Sequence, residues 1–99
     1  MILVKIHKSY RQVVAVCDLE LYGKKILEGE KQLDLTGQFF KGEEKTEEET
    51  KEILIDMRKE DASFNIVGQR SCDIAISAGL IDKEAIFYVS GVPFSLVLL

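Results

Sequence analysis

The chain has 99 residues, the size of one domain. Apolar residues make up 46% and charged residues 30%, a balance that supports a buried core and excludes a disordered chain. The net charge of −4 argues against a general nucleic-acid binder, and two cysteines are too few for a disulfide framework.

The charge is uneven. Residues 1–41 carry seven Lys and Arg against five Asp and Glu, whereas residues 42–61 carry nine acids against four bases. Acidic runs of this kind are usually solvated helix faces. Lys5 interrupts the N-terminal apolar run before it reaches the length of a signal sequence, and no stretch of 18 apolar residues follows. The expected compartment is a reducing cytosol.

Ile2, Val4 and Ile6 alternate with Leu3, Lys5 and His7, the period of a half-buried strand. Residues 13–17 form a second β-rich run, and Ser9, Tyr10, Arg11 and Gln12 between them suit a hairpin. In a regular hairpin of that length, His7 faces Val14 and Cys17 faces Val4. Asp18 is placed to cap a single helical turn that Gly23 stops. Residues 23–29 read as a loop. Leu33 and Leu35 mark a third strand, and Gly37 and Gly42 bracket a turn around Phe39 and Phe40.

Thr46 and Glu49 form a capping box for a helix that runs to about Lys59, with Thr50, Ile53, Leu54 and Met57 on its inner stripe. Residues 65–82, NIVGQRSCDIAISAGLID, predict a second helix over 66–78 with Asn65 as cap. Gly79 follows in a left-handed conformation, with Leu80 folding back on the last turn. Asp82 caps a short turn. Residues 86–89 and 94–99 read as strands joined by Ser90, Gly91, Val92 and Pro93.

The expected fold is α+β: a mostly antiparallel sheet of about five strands with two main helices packed on it, in the order β-β-short α-β-α-α-β-β. Helices that follow one another in sequence favour this over alternating β-α units. The whole chain, 1–99, is one domain.

Chemistry has few places to sit. Cys17 lies in an apolar strand and Cys72 beside Asp73, and both read as small core residues rather than nucleophiles. One histidine and two distant cysteines do not make a zinc set, and residues 43–52 lack the calcium-loop pattern. No motif calls for a cofactor. The best ligand candidate is the helix start at Asn65, Gly68, Gln69, Arg70 and Ser71, where free N–H groups attract anions. It has neither a dinucleotide nor a Walker pattern. Lys5, Lys8, Tyr10, Arg11, Lys24 and Lys25 form a basic rim that suits RNA phosphate if they converge, with Tyr10 as a stacking ring.

Several phrases then occur in a fixed order: Ala15-Val16-Cys17-Asp18, Leu21, Gly23-Lys24, Asn65-Ile66-Val67-Gly68, Ala78-Gly79-Leu80-Ile81-Asp82 and Gly91-Val92-Pro93. On these the chain resembles a small archaeal family, domain-of-unknown-function family 424, over nearly its whole length. The resemblance implies an archaeal cytosolic protein with a stand-alone α+β domain. It supplies no reaction and no catalytic residue, and it raises the expectation of a translation or RNA-handling partner.

Three functions stay open: a non-catalytic interaction module, with the resemblance pointing to an accessory role in translation or RNA handling; a phosphate or small-ligand binder at Gly68; and a thiol enzyme at Cys17. The last six residues, Phe94 to Leu99, carry no charge. Such a strand is buried within a sheet or covered at its edge by a second copy, so a homodimer through it is a further expectation.

Overall fold

In the computed structural model, which describes residues 1–98, the N-terminal alternation becomes a hairpin of β1 (Ile2–His7) and β2 (Val13–Asp18). The register sets Leu3 opposite Cys17 and His7 opposite Val13. The loop therefore spans residues 8–12, one more than expected, and a one-residue slip turns side chains to the other face. His7 and Cys17 consequently share a face, contrary to the pairing expected from a shorter loop. They remain four residues apart along the sheet, about 13 Å at the usual rise.

The expected helical turn follows as a 3₁₀ turn at Leu19–Leu21, but the Asp18 side chain makes no capping bond to it. The stretch read as a loop contains β3 (Lys25–Glu28), which pairs with β4 (Lys31–Asp34) in a separate two-stranded ribbon. Its inward residues Ile26 and Leu33 are too few to give a readable period. The acidic run contains β5 (Glu43–Lys45), a short charged strand on β1. Such strands blunt a sheet edge.

Helix α1 (Glu47–Lys59) begins with the predicted box. Glu49 N–H donates to Thr46 Oγ1 at 3.1 Å, and Thr46 N–H donates to Glu49 Oε1 at 2.8 Å. Thr50 and Leu54 are fully buried, with Ile53 and Met57 packed alongside.

The largest departure comes next. Residues read as the start of the second helix form β6 (Ser63–Val67), and Asn65 sits in mid-strand instead of capping. The helix, α2 (Gln69–Ser77), starts from Gly68. A short run buried on both faces cannot be told from a helix segment by its period. The ending is as expected: Gly79 has φ +74°, its N–H donates to Ile76 O, and Leu80 N–H donates to Ala75 O, both at 2.9 Å. These are the two bonds of a Schellman motif. A 3₁₀ turn at Lys83–Ala85 leads into β7 (Phe87–Val89) and β8 (Val92–Val97).

The fold is α+β. The six-stranded sheet has the order β5-β1-β2-β6-β8-β7, with only β2 and β6 parallel. Both helices pack on one face over Ile2, Val14, Val16, Phe64 and Ile66. The ribbon and the segment after it cover the other over Leu3, Ala15, Cys17 and Val67, adding Leu35 and Phe40. Strand β8 lies between β6 and β7: residues 92–94 pair with β7 and 94–97 with β6, so Phe94 is paired on both sides and 95–97 lack a β7 partner. Leu99 lies outside the described residues.

Candidate functional site

Parallel pairing of β2 with β6 sets Cys17 opposite Val67 and brings Asp18 to the start of α2. The approach is close: a Cβ on Gly68 would lie 2.3 Å from Asp18 Cγ, and Gly68 has φ +112°. Only glycine fits there. The buried Asp18 carboxylate accepts Ser71 N–H at 2.8 Å, Ser71 O–H at 2.6 Å and Arg70 N–H at 3.1 Å. A carboxylate at a helix N-terminus satisfies orphan N–H groups and the dipole together.

The donors of this helix start are thus taken by a carboxylate of the protein's own. Gly68, Arg70 and Ser71 come together around Asp18. The Arg70 guanidinium reaches Glu20, with a bond of 2.6 Å to Oε1 and a shorter one to Oε2. Gln69 Nε2 donates to Asp73 Oδ1 at 3.0 Å. Asn65 lies apart, half-buried in a cleft of about 200 Å³ beneath β4 with Leu33, Phe40 and Phe94. Asp18 is the residue that sequence reading assigned to the wrong helix. Its signal was a carboxylate closing an apolar strand, which must find donors when buried.

Both thiols are fully buried. Desolvation, with Asp18 and Glu20 adding negative charge, pushes Cys17 up to about 12. Desolvation, then Asp18 and Asp73, pushes Cys72 to about 12 as well. Cys17 Sγ donates to the Asp18 carbonyl at 3.2 Å. This is the environment of a core cysteine, not of a stabilised thiolate. Among the described residues no group of three or more His, Cys, Asp and Glu is placed to hold a metal ion.

The basic rim divides. Lys24 and Lys25 begin the ribbon, beyond the far end of β2 from the hairpin loop. Tyr10 and Arg11 occupy that loop, Tyr10 fully exposed. Lys5 and Lys8 instead join Lys41 and Lys45 around an open groove of about 720 Å³, to which Val4, Ile6 and Ile53 add apolar surface. Glu43 is the acid lining it, 3.5 Å from Lys45. Two contacts hold the segment before β5 against β1. Gly42 lets its segment lie against β1, where a Cβ would fall 2.2 Å from Val4 O. His7 stacks on Phe39 with ring centroids 4.6 Å apart, and its Nε2 donates to Phe39 O at 2.8 Å. Lys41 and Lys45 carry no linear signal for this role, because they meet Lys5 only through β5 pairing.

The family described as "Protein of unknown function (DUF424)" matches residues 6–99. The chain belongs to the DUF424 family. The match spans Lys8, the groove lysines 41 and 45, and the Gly68 turn, and begins just after Lys5. An uncharacterized conserved protein from Methanopyrus kandleri has the same fold, with a TM-score of 0.85 at 24% identity. That likeness covers 97% of this chain and 89% of the other. No curated protein matches this DUF424 chain.

Proposed function

We propose that this DUF424 chain is a cytosolic, non-catalytic interaction module whose contact surface is the lysine groove at the edge of β1, and that it serves as an accessory to translation or RNA handling. The observation that carries the reading is the convergence of four lysines against one glutamate on a chain of net charge −4. Clustered charge of one sign beside an apolar wall attracts an oppositely charged partner from a distance. The other two readings lose support from the geometry. A phosphate at Gly68 would have to displace Asp18 from three donors, and a thiol at about 12 is protonated at neutral pH.

The test is binding of a fluorescent polyglutamate by anisotropy. The Lys41→Glu/Lys45→Glu variant should bind at least about tenfold more weakly, with a reduced salt dependence. Equal binding by the variant would overturn the proposal. A second reading, self-association, is favoured by Leu96 and Leu98, 52% and 73% exposed beside a groove of about 460 Å³ at the end of β8 that β7 does not cover. Light scattering tests it: a dimer that Leu96→Lys dissociates supports it, and a monomer at millimolar concentration removes it.

A further inference from the structure

We infer that the occupant of the lysine groove is an extended acidic peptide that adds as a strand to the open half of β1; the inference rests on the function proposed above and names its partner class. Strand β1 runs from Ile2 to His7, yet β5 pairs only with Ile2, Leu3 and Val4. Among the described residues, no strand pairs with residues 5–7 on that side. The open stretch is about 10 Å long at the usual rise per residue.

Backbone direction in this stretch follows from the covered half. The Val4 carbonyl lies against Gly42, on the β5 side. In an antiparallel ladder, alternate residues direct both backbone groups to the same side. Ile6 therefore directs its N–H and C=O the same way as Val4, and Ile6 lines the groove. Paired groups of this kind at an edge recruit an extended chain through main-chain bonds, with side-chain pockets giving selectivity.

The side chains around that edge define the sequence such a chain needs. Val4, Ile6 and Ile53 supply apolar surface, and Lys5, Lys8, Lys41 and Lys45 supply positive charge. Successive residues of a strand alternate between faces, so acidic residues alternating with apolar ones meet both sets. Single-stranded RNA fits less well. Nucleic-acid grooves add aromatic platforms on which bases stack. Here His7 and Phe39 stack on each other, and Tyr10 is not among the residues lining the groove.

The experiment uses the full chain and a labelled nine-residue peptide of alternating Glu and Val. Amide NMR of the wild type should show shifts at residues 5–8 and 41–45, and slowed exchange of the Ile6 amide. Methylating alternate peptide nitrogens removes main-chain donors without changing charge, and should weaken binding by at least about tenfold if a strand is added. Unchanged affinity on methylation overturns the inference. A twelve-residue oligouridine that shifts the same residues, where the peptide does not, also overturns it and leaves the proposed function standing. Shifts from neither probe defeat both.

Discussion

Gly68 and Gly79 both have positive φ, but for different reasons. A Cβ on Gly79 meets nothing closer than Arg58 Nη1 at 3.7 Å, so its demand is conformational. A Cβ on Gly68 would strike the Asp18 carboxylate. Asparagine tolerates the left-handed region, whereas valine does not. Gly79→Val should therefore cost about 1–2 kcal/mol or more and Gly79→Asn well under that. Gly68→Asn should be at least as damaging as Gly79→Val, because no change of backbone preference removes the clash. Urea midpoints of the three variants check this ranking, and equal midpoints for Gly68→Asn and Gly79→Asn would contradict it. The left-handed residue at Gly79 was legible because Ala-Gly-Leu is local chemistry. The clash at Gly68 was not, since Asp18 is 50 positions away in sequence.

At the scale of elements, the same division recurs. Helix α1 was readable from its first residue to its last because its cap, stripe and final basic residues are all local. Strand β6 was not, because a buried five-residue run has no period of its own and its neighbour β2 pairs with it across α1. The candidate site follows suit: Gly68, Arg70 and Ser71 were visible as an anion-binding start, while the anion that fills it comes from another strand. Asp18 is consequently the tie between β2 and α2. Asp18→Ala leaves buried N–H groups of Arg70 and Ser71 without their acceptor, a loss of about 2–4 kcal/mol. Hydrogen exchange should show the first turn of α2 opening before the rest of the helix. Protection equal to wild type would mean that Asp18 does not hold the helix start.

For the whole molecule, the two buried thiols set an alkaline limit. Both rise from an ordinary 9.0 to about 12 on folding. Above pH 9 the unfolded chain releases these protons while the folded chain keeps them, so the native state binds more protons. Stability is then full below pH 9 and falls as pH rises towards 12, by up to about 1.4 kcal/mol per pH unit for each thiol. Denaturation midpoints from pH 8 to 11 should decline, and Cys17→Ala/Cys72→Ala should flatten that decline even if it is less stable throughout. An identical slope in the variant would contradict the burial of the thiols. The groove depends on the same global arrangement, since β5 pairing carries Lys41 and Lys45 to Lys5 and Lys8. The most direct test of its role is an amide NMR titration of the full chain with polyglutamate at low salt. The account predicts that residues 5–8 and 41–45 shift first and that Gly68, Arg70 and Ser71 stay still; shifts led by the Gly68 turn, or by Lys24 and Lys25, would contradict it.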